Sequence, residues 1–142
     1  MKFHWSLWMA VVALAVSPLQ AARYDIDVAH SSIQFKVKHL GISTVTGRFK
    51  QFIGFISADE KNATKSKVEV TVDITSVDTQ NEKRDGHLKS PDFFDAAKYP
   101  SARFVSKKVS PVQDGKFTVG GDLTLRGVTK PVTLDAVFEG KA

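Results

Sequence analysis

Lys67-Val68-Glu69-Val70-Thr71-Val72-Asp73-Ile74 alternates apolar and polar residues without a break. Successive strand side chains point to opposite faces, so this spacing puts Val68, Val70, Val72 and Ile74 on one face and Glu69, Thr71 and Asp73 on the other. Residues 116–126 repeat the pattern, with Phe117, Val119, Leu123 and Leu125 opposed by Thr118, Asp122, Thr124 and Arg126. A face this rich in Phe and Val must be covered, by a second sheet or by closure into a barrel with an apolar lumen. The second arrangement can carry a function, because a lumen can hold a lipid.

Upstream, residues 32–39 set Ile33, Phe35 and Val37 against Gln34, Lys36 and Lys38. Residues 42–45 read as a connector, with Gly47 permitting a tight bend. In the strand expected over residues 48–58, Phe49, Phe52, Ile53, Phe55 and Ile56 occupy both parities. A bulge or bend pivoting on Gly54 accounts for this, as does burial on both faces. Residues 59–66 form a polar loop, and the central strand runs over 67–77. Thr79 and Glu82 match a capping box, which places a short helix at residues 80–88. Pro91 and Pro100 bracket an aromatic loop, Asp92-Phe93-Phe94-Asp95. Residues 101–109, 116–126 and 131–139 read as strands, with Asp114-Gly115 a hairpin turn and Gly127 another. Six strands and one short helix result, preceded by a short extended piece at 24–28.

The 142 residues suggest one domain, and 42% hydrophobic with 25% charged residues is the balance of a globular chain rather than a disordered one. The formal charge is +5, but Lys and Arg are scattered, in clusters no longer than Lys107-Lys108. Nucleic-acid binding calls for a concentrated basic face with stacking aromatics, and neither is evident. The basic excess reads as a solvated outer barrel surface; the weaker, functional alternative is mild attraction to anionic lipid head groups. The absence of Cys excludes disulfides, a lipoprotein anchor, a thiol nucleophile and thiolate metal sites.

Residues 1–22 have the form of a secretory signal helix. Lys2 supplies the positive start, residues 7–16 are unbroken apolar sequence, and Ser17, Pro18, Ala21 and Ala22 make a small-residue exit. Ten apolar residues are about half of the ~20 needed to span a bilayer, so cleavage is expected rather than anchoring, leaving a domain over residues 23–142 that does not span a membrane. Both Trp residues would go with the signal. A periplasmic location is expected.

Three blocks resemble the YceI-like family of lipid-binding proteins. The first runs from Tyr24-Asp25-Ile26-Asp27 through His30-Ser31, Phe35, Val37 and His39-Leu40-Gly41 to Ser43, Val45, Gly47 and Phe49. The second is Arg84-Asp85-Gly86-His87-Leu88-Lys89-Ser90, then Asp92-Phe93-Phe94-Asp95, Tyr99-Pro100 and Phe104. The third is Gly121-Asp122-Leu123-Thr124-Leu125-Arg126-Gly127-Val128-Thr129-Lys130-Pro131-Val132. The resemblance implies an all-β, antiparallel, lipocalin-like barrel whose lumen holds a polyisoprenoid or fatty amide, in an exported monomer or dimer without catalytic residues. Tyr24 stands where the family more often has Trp. The family also continues with two more strands where here only Lys141 and Ala142 follow, so about six of its eight strands are expected. Each ~100 Å² of apolar face left in water forgoes about 2.5 kcal/mol, against a net stability of ~5–15 kcal/mol. Open edges would then be completed by strands of a second copy, giving a homodimer, or the barrel would shrink, or the product would be unstable. A strand-pairing interaction module and a non-functional fragment are accordingly the rival readings.

With that resemblance the apolar parity set reads as lumen lining. It comprises Ile33, Phe35 and Val37, then Val68, Val70 and Val72. Phe104, Phe117, Val119, Leu123 and Leu125 follow, with Leu134 and Phe138 last. The alternative for all of them is ordinary core. His30, His39 and His87 recur in the matching blocks and are candidate head-group contacts. Joined by Asp27 or Asp85 they could ligate zinc, but no HxH or HExxH spacing is present, and neither metal nor cofactor is expected. Phe93 and Phe94 form either a lid over the mouth or a plug in one end, and exposed Phe pairs are unfavourable, which favours the plug. Ser31 and Ser32 adjoin His30, but neighbours on a strand point apart, and no G-x-S-x-G elbow, P-loop or Rossmann fingerprint occurs. The expectation is binding, not catalysis.

Overall fold

The computed structural model describes residues 21–39 and 43–140; residues 1–20 of the expected signal segment and Lys141-Ala142 lie outside the described residues. The strands are β1 (Ala22–Asp25), β2 (Ile33–His39), β3 (Ser43–Phe49), β4 (Phe52–Ala58), β5 (Lys67–Asp73), β6 (Val77–Asp78), β7 (Ser101–Val109), β8 (Lys116–Leu125) and β9 (Val128–Val137), with one α-helix, α1 (Glu82–Lys89). Every pairing is antiparallel. The larger sheet has the order β1-β4-β5-β7-β8-β9 and the smaller the order β2-β3-β6. The all-β antiparallel expectation therefore holds, while two details differ. There are nine described strands rather than six, and the two sheets do not close into a barrel among the described residues.

The extra strands arise where the chain crosses between sheets. Residues 43–49 are a strand paired along its length with β2, and Gly47 faces Phe35 rather than forming a bend. The bend sits at Lys50-Gln51, between β3 and β4. It explains part of the mixed parity of residues 48–58: Phe49 belongs to one sheet and Phe52 to the other, while Ile53 and Phe55 stand on the opposite face of β4 from Phe52 and Ile56. Gly54 is no bulge, since it pairs in regular register with Val70. β5 likewise stops at Asp73, and a 3-10 turn over Ile74–Ser76 carries the chain into β6. The Ser76 hydroxyl accepts from Gln51 N at 3.0 Å and donates to Asp73 O at 2.6 Å, tying the two crossings together.

The helix starts later than expected. Asn81, not Thr79, is its N-cap, accepting from Arg84 N at 2.9 Å. Buried Thr79 instead gives its hydroxyl and its N–H to Asp85 Oδ1, at 2.6 and 2.9 Å, and receives Arg84 Nε at 2.8 Å. A capping box needs the Thr side chain free to reach back to the helix amides, and here Asp85 has claimed it. Both hairpin turns are as expected: Asp114-Gly115 and Arg126-Gly127 take positive φ in pairs, 51° and 74°, then 49° and 71°, the geometry that matches strand twist.

The core has two parts. Ile74, Ala96 and Ala102 gather Phe49, Val72, Phe94 and Leu125 at one end. Phe104, Val109 and Val119 gather Val68, Phe117, Leu123, Val132 and Ala136 at the other.

Candidate functional site

Residues directly opposite in a ladder share a face, so register decides which side chains line one surface. Val68, Val70 and Val72 oppose Ile56, Gly54 and Phe52 across β4, and Val70 and Val72 oppose Phe104 and Ala102 across β7. Phe104 opposes Leu123, Val119 opposes Val109 and Leu134, and Phe117 opposes Ala136. The lumen candidates of β5, β7, β8 and β9 thus occupy one continuous face of the larger sheet. The other face is wet. Arg103 bonds Glu69, Lys107 Nζ lies 2.7 Å from Asp122, and Arg23 sits 3.9 Å over the Phe55 ring.

Ile33, Phe35 and Val37 share a face of the smaller sheet with Phe49, Gly47 and Val45. The two apolar faces meet through Phe94. Its ring lies 6.3 Å from Phe35 and 5.8 Å from Phe49, edge-on to both, and it packs on the Ile74 cluster. Phe94 is therefore packed between the two sheets rather than laid over them. Phe93 is instead half exposed and meets the His87 ring edge-on at 4.9 Å. The eleven-residue connection that carries them is held by Phe94 N to Leu88 O, Asp95 N to Ser90 O and Ala96 N to Lys89 O, each 2.9 Å.

Not every candidate is enclosed. Val37, Leu134 and Phe138 are about half exposed, and Phe138 lies just past the end of β9. The face remains open beside β9 and β2, which have no further strand partner among the described residues. A hollow of about 620 Å³ exists elsewhere, where Val28, Ile53, Thr71 and Pro100 surround the sheet crossing; of the lumen candidates only Val72 borders it. Sequence reasoning missed Phe52, Ala102, Val109, Val132 and Ala136 on the lining face. Val109 was hidden by a bulge at Lys107, where the β7–β8 register shifts by one residue and inverts the parity of everything after it.

The histidines do not converge. His30 Nδ1 lies 2.7 Å from Asp27 Oδ2, and His87 Nε2 lies 3.1 Å from Asp92 Oδ2, each a local pair. The His30 contact, helped by Ala29 N–H, holds the Asp27 carboxyl below its usual range. The side chain of His39 lies outside the described residues. No group of three or more His, Asp or Glu suited to a metal ion occurs among the described residues, nor any helix long and apolar enough to cross a membrane.

The YceI-like domain profile matches residues 24–142. A UPF0312 protein of Vibrio parahaemolyticus is 53% identical over 140 residues, covering 95% of this chain and 74% of its own length. Protein YceI of Escherichia coli O157:H7 is 45% identical over 137 residues, covering 95% and 71%. Among solved structures, Burkholderia cenocepacia BcnA superposes with a TM-score of 0.77 at 28% identity, over 82% of this chain and 73% of that one. A Campylobacter jejuni YCEI protein superposes with a TM-score of 0.67 at 44% identity, over 84% and 70%. A polyisoprenoid binding domain from Saccharophagus degradans shares the fold, with a TM-score of 0.52 at 20% identity over 82% and 62%.

Proposed function

The chain belongs to the YceI-like family, and from that membership together with its lining face we propose that it binds a long apolar lipid, a polyisoprenoid or fatty amide, as an exported carrier or sequestering protein acting in the periplasm. The observation that carries this reading is the register. Val68, Val70, Val72, Phe104, Phe117, Val119, Leu123, Leu125 and Leu134 all stand on one face of one sheet. Burying a hydrocarbon is worth ~0.8 kcal/mol per CH₂, so a long chain binds such a face without any catalytic group. The polyisoprenoid-binding neighbour of the same fold supports the ligand class, and the basic, apolar and small-residue order of residues 1–22 supports export.

Native mass spectrometry after gentle purification tests the reading. A co-purifying hydrocarbon mass is expected from the wild type and from Ile53→Glu, whose side chain is exposed on the opposite face. Val70→Glu and Leu134→Glu should lose it. The half-exposed Leu134 position should tolerate a carboxylate, with circular dichroism as the check, so retention of lipid by folded Leu134→Glu overturns the lining assignment. The free edge of β9 among the described residues supports a second reading, pairing with a second copy. A dimer mass without adduct would favour that one.

A further inference from the structure

The net charge of this protein is segregated. Residues 28–58 contain Lys36, Lys38, Arg48 and Lys50 and not a single Asp or Glu, whereas residues 59–140 carry equal numbers of basic and acidic side chains. Register then gathers these cations. Lys36 opposes Thr46, Lys38 opposes Thr44 and Gln34 opposes Arg48, all on the face of β2–β3 turned away from Phe35 and Phe49. All six of these side chains are exposed, as is Lys50 just beyond them. Asp78 of β6 answers part of this charge, bonding Arg48 Nε and Nη2 at 3.1 Å with Lys50 close by. Lys36 and Lys38 have no ion pair among the described residues.

We propose that the outer face of the β2–β3 pair is a docking surface for an anionic lipid bilayer. Cations near a negatively charged membrane gain attraction that decays within a Debye length, about 10 Å at 0.1 M salt. Three cations on one short two-stranded face, flanked by Thr and Gln, with Lys50 just past its end, can meet a head-group plane together. The same hairpin offers its opposite, apolar face to the interior through Ile33, Phe35 and Val37. Docking there sets a lining strand of the cargo face against the source of the cargo. The inference extends the carrier reading in purpose, while its test stands apart from it.

Vesicle co-sedimentation of the full chain with phosphatidylcholine alone, and with phosphatidylglycerol added, decides the matter. Wild type is expected to sediment with the anionic vesicles only, and to be released as salt rises. One lysine near such a surface is worth about fivefold in affinity, so Lys36→Glu with Lys38→Glu should weaken binding at least ~tenfold. Lys108→Glu with Lys116→Glu makes the same charge change on the larger sheet and should leave binding within about twofold of wild type. Circular dichroism checks that both double variants fold. Equal loss in the two variants would reduce the effect to overall charge and overturn the proposal. So would absence of wild-type binding, or preference for an acidic polypeptide over the vesicles. Uptake of a fluorescent fatty probe without vesicles separates the two readings: docking without uptake removes the carrier reading alone, and uptake without docking removes this one alone.

Discussion

The ring of Phe35 fills the space that a side chain at Gly47 would occupy. A Cβ built there falls 2.3 Å from Phe35 Cζ, and Phe49 and Phe94 hold the ring from beyond, at 5.4 and 6.3 Å. Gly47→Ala must therefore push one ring into two others, and overpacking of this kind costs about 1–3 kcal/mol. Gly121→Ala should be worse, because the nearest atom is the main-chain oxygen of Val105 at 2.3 Å, which no rotamer change relieves. Gly120→Ala meets nothing nearer than 3.7 Å and should leave stability within ~0.5 kcal/mol of wild type. Urea unfolding of the three variants gives the ranking.

Ser76→Ala should destabilise by about 1–3 kcal/mol, since it strands the Gln51 N–H at a buried corner. Thr is a useful companion: a hydroxyl retained at this position should recover part of the loss. Equilibrium denaturation of both variants checks the prediction.

The two neighbouring phenylalanines should respond unequally. Phe94→Ala removes a ring shared by Phe35, Phe49 and the Ile74 cluster, and a loss of ~2–4 kcal/mol is expected. Phe93→Ala removes a half-exposed ring whose ring contact is His87, and its cost should stay below ~1 kcal/mol. Thermal melting of the two variants separates plug from cover.

Asp78 links the smaller sheet to pH. Its carboxyl accepts Gln80 N–H and the Arg48 guanidinium, and these hold its pKa below the usual aspartate value. A carboxyl whose folded pKa is depressed stabilises above the unfolded value, ~3.9, and that contribution is lost as pH falls through the lower folded value. The stability difference between wild type and Asp78→Asn should accordingly be constant from pH 7 to about 5 and shrink below about 4. Denaturant titrations across that range read it directly.

What could be read from the chain was whatever is decided locally. Val68, Val70 and Val72 declare their shared face by spacing alone, and Asp114-Gly115 declares its turn by tolerance of positive φ. What could not be read was decided by residues far along the chain. Phe49 and Phe52 looked like one irregular strand because the corner between them is fixed by Ser76, a partner 25 residues away. Gly47 looked like a bend because its reason for being small is the ring of Phe35 on another strand. Thr79 looked like a cap until Asp85 and Arg84 occupied its hydroxyl. The lining face suffered in the same way: Val109 has the wrong parity for a straight strand, and only the register against β8 restores it.

The extra residue at Lys107 has a consequence for descent and for engineering. Ahead of it β7 keeps even positions inside, as Phe104 shows; behind it odd positions are inside, as Val109 shows. Straightening the strand with that residue retained would swing Lys108 inward and Val109 into water, whereas deleting it would leave an even alternation with Lys108 outside and Val109 inside. A homologue without the insertion therefore alternates in one unbroken phase through this point, and the phase break in this chain marks the bulge rather than a change of lining face.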